Sequence, residues 1–381
     1  MMSAADIARA RLRAQRLDPP VPAAPCELVR WLGAVQAQDF ALSRWSIGQR
    51  AACDLNAVDA ALADGSILRT HVLRPTWHFV AREDIGWMLA LTADRLRARL
   101  RPYDRRYGVD AETIRTSRRA IEAAIRRSGH LTRARIADIL KRRGIAVDSG
   151  WIVGHLLMHA ELSGTICSGL AQGAHQTFAL LEERAPKPAM LAGDAALAEL
   201  ATRYFQSHSP AALQDFRWWS GLGAADASTA IEMIRHSLDE CDIVDGRRFL
   251  VHRSAGTRVP ARRGRRAHLL QAFDELVVAY SGTRSIVDAR GLLVNATPEG
   301  LLTRSVVLDG QVCGRWEKQP RAGALVVRVQ LEMEVGPRGR QAITRAVKEY
   351  GTFLGQTASA MFVSADALRR GRGLRSAAVE K

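Results

Sequence analysis

The feature that most constrains this chain is a cadence of short amphipathic helices that ends each time in two brief β-like runs. Residues 112–127 place Ile114, Ala120, Ile121, Ala124 and Ile125 at helical spacing, and Gly129 stops that run. Thr132 is set to cap a second helix, Arg133 to Lys141. After a break at Gly144 a third helix runs from about Ser149 to Leu162. Thr165-Ile166-Cys167 and Gln176–Leu180 then read as strands, joined by the Gly-rich segment Gly169–Gly173. Three helices followed by a two-stranded hairpin make a winged helix, a helix-turn-helix unit with its own small core.

The cadence recurs. Ala195–Phe205 reads as a helix, Ser209 as the cap of the next with Pro210 at its first position, and Ser228–Leu238 as a third. Ile243-Val244, an Asp245-Gly246 turn and Arg248–Val251 supply the hairpin. A less regular copy occupies the first residues: helices Ala4–Arg16, Pro25 to about Val35 and Ala57–Asp64, then strands Leu68–Leu73 and Thr76–Val80. From Leu269 onward helical period gives way to alternation at 276–278, 285–287, 292–294, 305–308 and 325–331, with a last helix at about Arg340–Leu354. The expected class is α+β: three tandem winged-helix units at 1–110, 111–188 and 189–267, followed by a small β-barrel at 268–381 with a terminal helix and a basic tail.

Charge narrows the partner. The chain of 381 residues carries a net charge of +16, and only five of its 55 basic residues are lysine. Arginine in that excess suits phosphate, through its two-pronged fork. Five scattered cysteines without a CxxC argue against a zinc ribbon and a secreted disulfide framework. The N-terminus lacks the apolar stretch of a signal peptide, and no run of 18 apolar residues exists. The reading is a cytoplasmic, nucleoid-associated monomer whose partner is double-stranded DNA, with no membrane and no cofactor.

The informative chemistry is Gln36-Ala37-Gln38 before Asp39-Phe40. Two amides with i, i+2 spacing are neither nucleophile nor metal site. On an extended segment they share one face, and each offers donor and acceptor to one water.

Several stretches resemble the AlkZ/YcaQ-type winged-helix DNA glycosylases. They are Val35–Asp39 with Trp45; Arg69–Val80; Glu83-Asp84-Ile85 with Trp87; Tyr204-Phe205, Asp215-Phe216 and Trp218–Gly221; and Leu269-Leu270 with Ala272–Glu275. The resemblance implies three tandem winged helices, a C-terminal β-barrel and a catalytic Gln-aliphatic-Gln motif, which maps onto Gln36 and Gln38. Two departures are Gln271 and Leu276, where members often carry Pro and Tyr. The second wing, 169–175, is poor in basic residues, which weighs against its insertion into DNA.

The chemistry agrees with that family. A purine alkylated at N7 is already cationic, so its departure needs a positioned water more than a general acid. The expected enzyme is therefore a monofunctional glycosylase of alkylated, bulky or crosslinked N7-purines, its water held by Gln36 and Gln38. The rivals for base or charge stabiliser are Asp39 and His78. Trp45 and Trp77 are candidates for the lesion pocket, and Arg44, Arg262, Arg263, Arg265 and Arg266 for DNA contact. Trp218-Trp219 reads as helix packing. His155 and His159 have the i, i+4 spacing of metal ligands but no third ligand is evident in the sequence, so no metal site is expected. Lyase chemistry needs an amine, and none of the five lysines lies near Gln36. The alternatives are a non-catalytic winged-helix transcriptional regulator and a protein that only shields lesions.

Overall fold

The computed structural model describes residues 2–173, 175–187, 190–242, 247–255, 264–293, 304–321 and 324–363. The expected Asp245-Gly246 turn, Val294, Arg258, Arg262, Arg263 and the basic tail lie outside them.

The first group of elements is α1 (Ala4–Ala14), α2 (Pro25–Leu32), β1 (Val35–Gln36), α3 (Phe40–Ala51), α4 (Leu55–Ala63), β2 (Ile67–His71), β3 (Trp77–Ala81) and α5 (Ile85–Tyr107). Helix α2 stops short of Val35 because Gly33 takes a left-handed conformation, φ 77°. β3 is the central strand of an antiparallel sheet ordered β1-β3-β2, so Gln36 and Thr70 both sit opposite His78. Helices α3 and α5 follow Asp39 and Asp84, start signals that the helical period had not picked out. Asp39 opens α3 by accepting a hydrogen bond from the Leu42 amide at 3.1 Å.

The second group is α6 (Ala111–Ser128), β4 (Leu131–Thr132), α7 (Arg133–Arg142), α8 (Gly150–Leu162), β5 (Ile166–Ser168), β6 (Thr177–Leu180) and the short α9 (Leu181–Arg184). Thr132 and Ser149 cap α7 and α8 as their sequence positions indicate. This group buries its own core, from Val109 through Ile121, Ile136, Leu156 and Phe178 to Leu180.

The third group is α10 (Gly193–His208), α11 (Leu213–Ser220), α12 (Ala224–Met233), β7 (Leu238–Asp242) and β8 (Arg248–His252). Ser209 does not cap the next helix. Its hydroxyl bonds back to the Phe205 carbonyl and closes α10, while Asp215 accepts from the Ala212 amide at 3.1 Å and opens α11.

The last group is β9 (Ala267–Leu269), α13 (Glu275–Val278), β10 (Ser305–Leu308), β11 (Gln311–Arg321), β12 (Ala324–Leu331), α14 (Gly336–Phe353) and β13 (Ala358–Val363). Residues 276–278 are helical rather than a strand, 284–286 form a 3-10 turn, and Leu292-Leu293 lie in a turn. Among the described residues the strands make a five-stranded sheet ordered β13-β12-β11-β10-β9, half of the expected barrel, in which β13 and β9 do not pair. Its inner face is covered instead. Trp316, Val327 and Val329 pack with Ile343, Val347 and Tyr350 of α14 and with Leu28, Trp45 and Phe79 of the first group. Filling that face with a helix and a neighbouring group removes the need for strand closure. A second shared core joins Leu68, Val80, Trp87 and Met88 to Tyr204, Phe205, Trp219 and Tyr280. The first group is thus welded to the third and last. Among the described residues no helix is long and apolar enough to cross a membrane.

Candidate active site

A cleft of 610 Å³ opens where the first, third and last groups meet. It is lined by Gln36, Arg74, Pro75, Thr76 and Arg99 of the first group, by Gln214, Arg217, Trp218 and Leu222 of the third, and by Phe273, Val278 and Ser281 of the last. Three of these residues are arginines and none is a carboxylate.

One wall is a tight turn between β2 and β3. Arg74 N donates to Val72 O at 2.6 Å and Thr76 N to Arg74 O at 2.7 Å, so two three-residue turns follow each other. Leu73, at the centre of the first, has φ 63°, a conformation that costs a branched residue about 1–3 kcal/mol. The carbonyl of Leu73 lies against Gly221, where a Cβ would come within 2.0 Å of it. The left-handed glycine that ends α11, φ 71°, therefore locks the turn that carries Arg74 and Thr76.

Gln36 is buried and its polar groups are deliberately placed. Its backbone amide donates to Glu275 Oε1 at 2.8 Å, and its carbonyl accepts from Gln271 Nε2 at 3.0 Å. Its side-chain Nε2 donates to Thr76 Oγ1 at 2.9 Å, and its Oε1 accepts from the Gln38 amide at 3.0 Å. One side-chain N–H and one oxygen lone pair remain for a guest. Gln38 is exposed and its Oε1 lies 3.4 Å from the Trp77 amide. Both amides therefore reach the Thr76-Trp77 step, as an i, i+2 pair at a strand end can. Glu275, fully buried, also accepts from Trp219 Nε1 at 3.0 Å. The departure at Gln271 thus has a local role: its amide holds the Gln36 backbone.

His78 backs the same turn. Its Nδ1 meets Thr76 O at 2.9 Å and its Nε2 meets Arg74 Nη2 at 3.3 Å. Burial, and then the Arg74 charge, push its pKa well below the ordinary value of 6.5. It is a neutral orienting group with both nitrogens engaged. Arg74 is itself 8% exposed, and its Nη1 has no protein partner. Burial lowers its pKa, opposed by the Glu275 carboxylate.

The other sequence candidates fall elsewhere. Of the predicted site residues only Gln36 lines the cleft: Gln38 lies beside it at the Trp77 amide, and Asp39, Trp45 and Trp77 do not line it. Asp39 caps α3 and lies 3.5 Å from Arg304 Nη2. Trp45 is core: Nε1 donates to Leu269 O at 2.7 Å, and the ring meets Tyr350 edge-on. Trp77 Nε1 reaches Glu161 Oε1 at 3.3 Å on α8, with Arg69 over its ring. Arg44 is paired with Asp59 at 2.6 Å, Arg265 with Asp309 at 2.7 Å and Arg266 with Glu349 at 3.5 Å. Trp219 is buried packing, whereas its neighbour Trp218 is 48% exposed at the cleft, held through Nε1 to Val278 O at 2.9 Å. Sequence reasoning missed Arg74, Arg99, Gln214, Arg217 and Glu275. Arg74 and Glu275 stand inside the family-like segments, but Arg99 and Gln214 have no local signal.

Residues 29–353 match the family described as DNA glycosylase AlkZ-like. A relative from Streptomyces sahachiroi, named an interstrand DNA cross-link repair glycosylase, is 26% identical over 328 residues, which cover 81% of this chain and 85% of the relative. The solved structure of the Streptomyces sahachiroi DNA glycosylase AlkZ aligns with a TM-score of 0.77 at 22% identity, over 95% of this chain and 100% of that one.

Proposed function

The chain belongs to the AlkZ-like DNA glycosylase family, hydrolases of the N-glycosidic bond, and from that premise we propose that it excises alkylated N7-purines, crosslinked ones included, from duplex DNA. The observation that carries the reading is the half-satisfied Gln36 amide at the wall of a cationic cleft without carboxylates. Gln36 and Gln38 hold the attacking water. The remaining N–H and lone pair on Gln36 orient it without removing its proton early, which is enough when the leaving base already carries positive charge. Arg74, Arg99 and Arg217 attract the phosphates that flank the target, and the exposed ring of Trp218 offers a face on which an unstacked base can rest. The relative's role in cross-link repair, as its name gives it, supports a bulky substrate, as does the open form of the cleft. The three helix-and-hairpin groups act as winged helices along the duplex, with divisions near residues 110, 188 and 267, and the enzyme works as a monomer.

The test is single-turnover excision from a duplex with one N7-alkylguanine, read as abasic sites. Gln36→Ala and Gln38→Ala should each slow excision roughly 10²-fold, the usual order for one lost electrostatic or positioning group, with DNA binding near wild type. The rate should survive EDTA and vary little between about pH 6 and 9, because amides do not titrate. Wild-type rates in both variants would remove the water site. Abolition by Asp39→Asn with Gln36→Ala unimpaired would move the base to Asp39.

A further inference from the structure

The fold supplies what the His155/His159 pair lacked in sequence. Asp104, near the end of α5, brings a carboxylate to the two imidazoles on α8. Its Oδ1 stands 2.5 Å from His155 Nε2 and 2.8 Å from His159 Nε2. All three donor atoms lie within 4.8 Å of one another. The two rings stand at 88° with centroids 4.9 Å apart, so both Nε2 atoms converge on one point from different directions. Both histidines are 6% exposed. The edge of Tyr107 meets the His155 ring at 5.4 Å.

We propose that Asp104, His155 and His159 bind one divalent transition-metal ion of the zinc class, with water as the fourth ligand. Two imidazoles and one carboxylate are a donor set that such ions take, at about 2.0–2.2 Å per bond. Tetrahedral donors at that bond length stand ~3.3 Å apart. The carboxylate oxygen must therefore retreat by roughly 0.8 Å from His155 Nε2 and roughly 0.5 Å from His159 Nε2 relative to the hydrogen-bonded arrangement. Side-chain rotation covers that change. A positive charge that acts on His159 is that of Arg97, whose guanidinium is already bonded to Asp94 at 2.6 Å and to the Leu162 carbonyl at 2.6 Å. The ion would tie α5 of the first group to α8 of the second. It takes no part in excision, whose cleft lies with the first, third and last groups.

The experiment uses full-length protein stripped with EDTA and titrated with Co²⁺, then competed with Zn²⁺. One equivalent should raise the visible absorption of a four-coordinate Co²⁺ centre, and Zn²⁺ should erase it. Asp104→Asn, His155→Gln and His159→Gln should each weaken binding on the order of 100-fold, since even outer-shell losses cost 10–100-fold. Circular dichroism checks that each variant is folded, and hydrogen exchange in α8 should slow with Zn²⁺ in the wild type alone. No visible band in the wild type, or equal uptake by wild type and folded Asp104→Asn, would leave the trio as a hydrogen-bonded clasp and overturn the site. Excision measured on the same stripped protein reports separately on the glycosylase reading.

Discussion

The first group is joined to its neighbours in two different ways. Toward the third and last groups the joint is broad and mainly apolar, a dry joint in which a few fully buried polar contacts are embedded, such as Arg50 to Asp274 at 2.6 Å and the Gln36 amide to Glu275 at 2.8 Å. Trp87, Tyr204, Phe205, Trp219 and Tyr280 fill one shared core, and Leu28, Trp45, Trp316, Tyr350 and Phe353 fill another. Toward the second group the apolar contact is smaller: Ala93, Leu96 and Leu100 of α5 against Met158 and Leu162 of α8, with Cys167, Leu181 and Ala185 at the edge of the core that holds Leu68 and Val80. Beside it runs a row of polar contacts. Glu161 of α8 takes His71 Nδ1 and Trp77 Nε1, Ser168 Oγ accepts from the Arg69 amide at 2.8 Å, and Asp104 takes the two α8 histidines. Apolar burial is non-directional and rewards close packing over a large area, whereas buried polar contacts specify one angle between two bodies. The cleft lies on the dry joint, where its walls from three groups cannot drift apart. The second group, with a core of its own, hangs from the first by a directional clasp.

The largest effect is expected on the dry joint. Trp219→Ala removes a fully buried ring and leaves Glu275 Oε2 without its indole partner. The expected loss is about 3–5 kcal/mol in denaturant unfolding, with excision falling alongside. A loss under about 1 kcal/mol would mean that the cleft does not stand on this core.

Glu161→Gln probes the clasp. It keeps the size of the side chain but removes the charge that faces His71, and it should cost about 1–3 kcal/mol. Amide exchange in α8 should accelerate while single-turnover excision stays unchanged. Equal exchange changes across α10 and α11 would show that the two joints are not separate.

The smallest effect is a pH dependence that separates the joints. His78 is neutral in the folded chain, but in the unfolded chain it takes a proton near its ordinary 6.5. The unfolded state thus binds more protons in acid. The stability contributed by His78 is complete above about pH 6.5 and is lost as pH falls below it, at up to ~1.4 kcal/mol per pH unit for one proton. His159 is also held below 6.5 by burial, but Asp104 opposes that shift. His78→Asn should therefore flatten the loss of stability between pH 6.5 and 5 more than His159→Asn does. The reverse order would place the acid-sensitive contact in the clasp rather than behind the cleft.

Local rules were legible where local chemistry decides. Thr132 and Ser149 are caps, Gly129 is a stop, and α6 to α8 with their hairpin follow from period and breakers. Local rules failed where a partner distant in sequence decides. Leu276–Val278 has the residues of a strand but folds as α13, because Asp274 caps it at the Leu276 amide, 3.0 Å, and every residue of the turn is buried in the core. Of the expected barrel the described residues form an open half, whose inner face α14 and the first group cover.

By itself the sequence determined the basic, helix-rich, family-like character of the chain and singled out Gln36 and Gln38, because amide identity and i, i+2 spacing are local properties. Only the tertiary structure decided what surrounds them. Arg74 from the β2–β3 turn, Arg99 from α5, and Arg217 and Trp218 from α11 come to one cleft with Gln36, Asp104 comes to His155 and His159 from another helix, and Arg44, Arg265 and Arg266 each meet a carboxylate at the surface. The reason is physical: a side chain's neighbours from distant parts of the chain are chosen by which apolar faces pack, and no window of sequence contains that choice.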